Sequence, residues 1–188
     1  VVLSAEGGLL SIAGADVPYI EVSSMAALQE AYEWCTQSAE AAQFKTICLD
    51  SITEVAEVVL AAELKKNKDG RAAYGELNAT MSELIRAFRD LPGKHVYFSA
   101  KLEKSQDEMG RMLYNPGMPG KSLTQHLPYF FDEVLALRVE RDGEGNTSRA
   151  LMCDSDGVWL AKDRSGKLAQ WELPNLGDII NKIHGGAV

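Results

Sequence analysis

The sequence predicts an α/β fold: a mainly parallel sheet flanked by helices, followed by antiparallel hairpins. Three observations carry this expectation. Apolar strand-like runs alternate with amphipathic helical segments through residues 1–100. Those runs are apolar almost throughout, as in strands covered on both faces of a parallel sheet. From residue 128 onward, short strands separated by Gly-, Asp- and Asn-rich turns replace the alternation, which is hairpin chemistry. The 188 residues suit one domain with a real core.

Val1 to Ala5 is a short apolar strand that runs into Glu6-Gly7-Gly8, a tight turn. Tyr19 to Val22 is a second short strand. Ser23 or Ser24 caps a helix reaching about residue 41, with Met25, Leu28, Ala31, Tyr32 and Cys35 at helical spacing. Phe44 to Leu49 is a compact apolar strand ending in Asp50-Ser51. Ile52 opens the next helix, and Ser51 with Glu54 has the spacing of a capping box. That helix ends near Lys66. A longer one follows, with Tyr74, Leu77, Met81, Leu84, Ile85 and Phe88 on one face and Pro92-Gly93 as its stop. Val96 to Ser99 is the next buried strand.

Residues 101–127 are polar and carry Gly110, Gly117, Gly120, Pro116 and Pro119, so a long functional loop is expected there. Residues 128–188 hold strands at 132–141, 148–154 and 157–161. Their turns are Asp142-Gly143-Glu144-Gly145-Asn146 and Ser155-Asp156-Gly157, and a terminal helix covers Leu176 to Ile183.

Composition narrows the function. Hydrophobic residues make up 46% and charged residues 24%, as in soluble globular chains. No apolar run approaches the roughly 20 residues needed to cross a bilayer, and no membrane partner is expected. The net charge of −8 excludes a general polyanion binder, so nucleic-acid contacts must be local or built across an oligomer. Cys35, Cys48 and Cys153 lack metal-ligand spacing and are expected to be buried free thiols in a reducing cytoplasm.

The run Thr46-Ile47-Cys48-Leu49-Asp50-Ser51 delivers a carboxylate at the C-terminal end of a buried strand, where ligands bind in open α/β sheets. In phosphate-binding NTPases an aspartate so placed holds magnesium, usually through water. Asp-Ser after a strand is equally a helix start. Glu6 ends another apolar strand, so it can share a cleft with Asp50 and polarise an attacking water; the competing reading is a solvated turn residue. Lys162 and Arg164 alternate in Lys162-Asp163-Arg164-Ser165-Gly166. Supplied by a neighbouring subunit, they suit charge on a γ-phosphate; otherwise they are an ordinary charged turn.

The order of these features resembles the RecA/RadA/DnaB superfamily of P-loop NTPases, most nearly the phage-encoded RecA-like nucleotide-binding proteins of single-strand-annealing recombination. VVLSAEGGL resembles the strand ending in the catalytic glutamate, which maps that role to Glu6. TICLDSITEV resembles the Walker B strand, with Asp50 as the magnesium aspartate and Ser51 beside it in the cofactor site. HVYFSAKLEK resembles the strand before the second DNA-binding loop, which makes Ser99 or Lys101 the γ-phosphate sensor. KDRSG is similar to the Lys-x-Arg finger, which maps trans-acting roles to Lys162 and Arg164. YGELN and PGMPGK look like segments of the phage branch.

The resemblance implies ATP and Mg2+ as cofactors. It implies single-stranded DNA, further copies of the same chain and a single-strand-binding protein as partners, and a phage protein in the cytoplasm of a bacterial host. It also makes the 101–127 loop a DNA contact. There Lys101, Lys104, Arg111 and Lys121 outnumber Glu103, Asp107 and Glu108 by one, and Tyr114 and Met112 can pack on bases. Lys104, Arg111, Tyr114 and Lys121 are the named DNA candidates.

One departure is plain. The superfamily begins with a strand and G-x-x-x-x-G-K-[ST] leading into a helix, and the 188 residues contain no such motif. Gly120-Lys121-Ser122 offers a partial echo, but the position five before Gly120 is Asn115 and Pro128 interrupts any helix after it. The first strand and the loop are expected upstream, and hydrolysis is expected of a protein that carries them. The alternatives are a RecA-fold DNA-binding or assembly module without catalysis, and a DnaB-like helicase or loader.

Overall fold

The computed structural model describes residues 1–141 and 143–185. The chain divides into two compact units. The first comprises Val1–Lys101 and Gly117–Phe130; the second comprises Leu102–Pro116 and the chain from Phe131 onward. The sequence reading had no signal for this division, because the second unit borrows a hairpin from the middle of the chain.

The first unit contains β1 (Val2–Ser4), β2 (Tyr19–Glu21), α1 (Met25–Gln37), β3 (Thr46–Asp50), α2 (Ile52–Lys66), α3 (Gly70–Arg89), β4 (His95–Phe98) and α4 (Lys121–His126). Its four strands form one parallel sheet in the order β2-β1-β3-β4, as the continuous apolar runs require. Leu3, Ile47 and Leu49 are wholly buried in it. Each such side chain contributes about 1.5–3 kcal/mol on leaving water. Phe88 of α3 meets Tyr32 of α1 and Phe98 of β4 edge-on, at 5.1 and 6.4 Å between ring centroids, so one aromatic cluster joins two helices to the sheet.

Local chemistry starts the three long helices. Ser24, Ser51 and Asp69 cap α1, α2 and α3 by accepting from Ala27, Glu54 and Arg71 amides. The buried stripe of α3 is Ala73, Leu77, Met81, Ile85 and Phe88. Tyr74, expected on that stripe, is partly exposed at 42%, and its ring lies where a Cβ on Gly120 would come within 3.0 Å.

The second unit contains β5 (Leu102–Gln106), β6 (Met112–Pro116), β7 (Glu133–Val134), β8 (Ala136–Arg141), β9 (Thr147–Met152), β10 (Lys162–Asp163), β11 (Trp171–Glu172) and α5 (Leu176–His184). All its pairings between these strands are antiparallel: β5 with β6, β8 with β9, β11 with β9 and β7 with β10. Leu151, Cys153 and Ile179 form its buried cluster, with Leu176 and Ile183 of α5 packed against it. The three thiols carry no disulfide, and burial raises each of them.

Three sequence expectations change. Residues 101–127 are not a long loop. They form the β5–β6 hairpin and then α4, with the hairpin turn closed by Asp107, which accepts from the Met109 and Arg111 amides. Residues 157–161 do not form a strand. Their backbone pairing among the described residues is an isolated parallel bridge of Trp159 with Tyr114, while Asp156 accepts from the Val158 and Trp159 amides and Ser155 donates to Trp159 O, so side chains satisfy neighbouring groups that a longer ladder would use. The strand partnering β7 lies later, at Lys162–Asp163, and β11 had no apolar alternation to announce it. Asp142, part of one expected turn, lies outside the described residues. No described helix is long and apolar enough to cross a membrane.

Candidate functional site

Three parallel strand ends lie side by side in the first unit. Ser4 of β1 stands in register with Asp50 of β3, and Leu49 with Phe98 of β4. The backbone extends this past the strands: Ala5 N–H donates to Asp50 O at 2.6 Å and Ser99 N–H to Leu49 O at 3.1 Å. Glu6, Asp50 and Ser99 therefore leave the sheet at one edge, the carboxyl end where α/β sheets bind ligands.

Their side chains are tied in two pairs. Ser99 Oγ donates to Asp50 Oδ1, and Ser51 Oγ donates to Glu6 Oε1. Ser51 is buried and also accepts from Glu54 N at 3.3 Å as the N-cap of α2. The Asp50–Ser51 peptide is cis. The hydrogen bonds make the cap and the carboxylate separate residues: Ser51 starts the helix, and Asp50 accepts from Ser99. The capping box is half formed, because Glu54 turns away to another partner.

That partner is Lys101. Its ammonium lies 2.7 Å from Glu54 Oε2, 3.4 Å from Glu57 Oε2 and 4.0 Å from Glu6 Oε1. The hydrogen bond that Lys101 donates to the Glu54 carboxylate holds Lys101 above its ordinary lysine range. Its backbone is pinned independently. Buried Thr53 accepts from Lys101 N at 3.0 Å and donates to Gly117 O at 2.8 Å, while Gly117 N donates to Lys101 O at 2.7 Å. Sequence reasoning did not single out Thr53 or Glu57 and read Glu54 only as a cap. Their spacing on one turn of α2 was visible, but their partner is more than forty residues away.

The oxygen chemistry of this edge fits a small divalent cation. Asp50 and Glu6 each have one carboxylate oxygen engaged by a hydroxyl, and Ser4 Oγ, in register with Asp50, is buried without a hydrogen-bond partner. Carboxylate and hydroxyl oxygens are the hard donors magnesium takes, usually alongside water and phosphate. Asp50 offers one such carboxylate at this edge.

The remaining candidates lie elsewhere. Lys162 and Arg164 belong to the second unit. Lys162 Nζ donates to Phe131 O, and burial, then the Arg164 charge, lowers its affinity for a proton. Arg164 pairs with Asp132 at 2.7 Å and remains largely exposed. Between them, Asp163 faces Glu133 in register. Burial and the Asp163 carboxyl push Glu133 up to about 7. Asp163 falls to about 2: burial opposes this, but hydrogen bonds from Ser165 and Leu168 outweigh it.

The DNA candidates are divided between the units. Lys121 is exposed in the first, at the start of six-residue α4, behind Gly120 with its positive φ of 88°. The echo of a phosphate loop has a structural explanation there: Gly120 meets the left-handed backbone and the close Tyr74 ring. Lys104, Arg111 and Tyr114 are in the second unit. Arg111 pairs with Asp107 at 2.7 Å. Tyr114 is stacked on Trp159 at 4.3 Å and 6°, with Lys104 Nζ 5.7 Å from its ring and Arg138 4.4 Å from the Trp159 ring. One face of Tyr114 is therefore already covered.

A family model described as "AAA domain", of P-loop NTPase type, matches residues 1–165, a span that includes every candidate from Glu6 to Arg164. No curated protein and no solved structure matches the chain.

Proposed function

The chain belongs to the AAA domain family of nucleotide-binding NTPases, and on that premise we propose that it is the core of a RecA-like ATPase of phage type acting in DNA recombination by single-strand annealing. The observation that carries the reading is the row of strand ends bearing Glu6, Asp50-Ser51 and Ser99, with Lys101 beside it. ATP is the nucleotide and Mg2+ the cation. Asp50 holds the cation and Ser99 orients Asp50 by its hydrogen bond. Glu6, turned by Ser51, accepts the proton of the attacking water. Lys101 meets the γ-phosphate. Bound magnesium supplies neutralisation of charge on the transferring phosphate.

Lys162 and Arg164 act on the nucleotide of a neighbouring copy in an oligomer. Their support is the exposure of Arg164 and the weak hold typical of an exposed ion pair. Single-stranded DNA is assigned to Lys104, Arg111, Tyr114 and Lys121, supported by their exposed cations and by the ring–cation pairing at Tyr114. Assembly with a single-strand-binding protein and action in a bacterial cytoplasm belong to the same reading. The 188 residues hold no G-x-x-x-x-G-K-[ST] motif, so hydrolysis is assigned to a protein that carries one.

The test is magnesium-dependent ATP turnover by the full gene product, with and without single-stranded DNA. Asp50→Ala is expected to abolish turnover. An unchanged rate would remove Asp50 from the metal role, and turnover indifferent to DNA would remove the recombination assignment.

A further inference from the structure

We propose that Glu54 is a positioning residue for Lys101, holding its ammonium at the edge of the Glu6–Asp50 site and off the Glu6 carboxylate. The inference rests on the ATPase reading above and extends it to a residue outside the sequence-derived set.

Lys101 has a fixed backbone and a movable end. Thr53 and Gly117 together occupy its N–H and C=O, so only the side chain is left to choose among partners. Three carboxylates compete for the ammonium, and the distances rank them: Glu54 at 2.7 Å, Glu57 at 3.4 Å and Glu6 at 4.0 Å. The pairs are partly exposed and add little to stability. Their consequence is geometric. A glutamate acting as a base must keep an oxygen for water, and an ammonium in direct contact would occupy it. Ser51 already takes Glu6 Oε1, which is also the atom nearest Lys101. Removing the Glu54 charge leaves Glu57 and Glu6 as the carboxylates within 4.0 Å, and the ammonium shifts toward them. Glu54 keeps Lys101 available to an incoming triphosphate and keeps Glu6 available to water.

The experiment is a double-mutant cycle on the full gene product with E54Q, K101A and E54Q/K101A, reading kcat and KM for ATP. E54Q is expected to lower kcat by roughly tenfold, the scale of one misplaced group, with KM changed less than about twofold. In the K101A background it is expected to have no further effect. E54D, which keeps the charge, is expected to recover part of the loss. Additive effects, or an inert E54Q beside an impaired K101A, would overturn the positioning role while leaving the ATPase reading in place. A K101A protein as active as wild type would overturn the positioning role and the assignment of Lys101 to the γ-phosphate, and turnover absent from the wild-type protein would instead overturn the ATPase reading. Amine acylation of Lys101, read by mass spectrometry, tests the hold without turnover. Labelling is expected to rise severalfold in E54Q, and unchanged labelling would overturn the inference even in an inactive protein.

Discussion

Ser51 Oγ bonds Glu6 Oε1 and Glu54 N at once, joining the start of α2 to the end of a different strand. One hydroxyl therefore serves both stability and the site. Ser51→Ala is expected to cost about 1 kcal/mol from the lost cap and to lower turnover further than that loss explains. Ser51→Thr, which keeps the hydroxyl, is expected to retain most of both. Thermal melts and ATPase rates on the same preparations separate the two losses. A stability change with unaltered turnover would leave Ser51 as a cap only.

Thr53 occupies a buried position and satisfies two distant backbone groups, Gly117 O, 64 residues along the chain, and Lys101 N, 48 residues along it. Thr53→Val keeps the shape and removes the hydroxyl. It is expected to destabilise the first unit by about 1–3 kcal/mol, the cost of leaving a buried polar group unpaired. Denaturant unfolding checks this, and Thr53→Ser is expected to be milder.

Arg164 reaches only Asp132 among the described contacts of its side chain. If it acts on a neighbour's nucleotide, mixing Arg164→Ala protein with wild type is expected to depress activity below simple dilution. Activity strictly proportional to the wild-type fraction would assign Arg164 to an ordinary exposed turn.

Glu133 and Asp163 give the second unit opposite pH dependences. Glu133 holds its proton more tightly folded than unfolded, so its contribution is complete below its ordinary 4.5 and lost as pH rises through about 7. The Asp163 contribution is present above its ordinary 3.8 and lost as pH falls through about 2. Glu133→Gln is expected to remove the loss between pH 5 and 8 while leaving the acid limb. Unfolding midpoints at those pH values measure it; equal slopes in both proteins would exclude Glu133 as the source.

The parallel sheet was legible because strands buried on both faces must be apolar at every position, as in Thr46-Ile47-Cys48-Leu49. The bounds of α2 were legible because Ser51 is a local cap and Lys65-Lys66 suit its last turn. By itself the sequence determined Asp50 at a strand end, Glu6 at another, and the hairpin character of the C-terminal region. It did not determine that residues 102–116 pair as a hairpin, that Ser51 also reaches Glu6, or what Lys101 touches. Those outcomes depend on contacts such as Lys101–Glu54 and Ser99–Asp50, between groups almost fifty residues apart. No local propensity encodes such a meeting. Only the parallel register, which sets β1, β3 and β4 side by side, brings the hydroxyls and carboxylates within hydrogen-bonding reach.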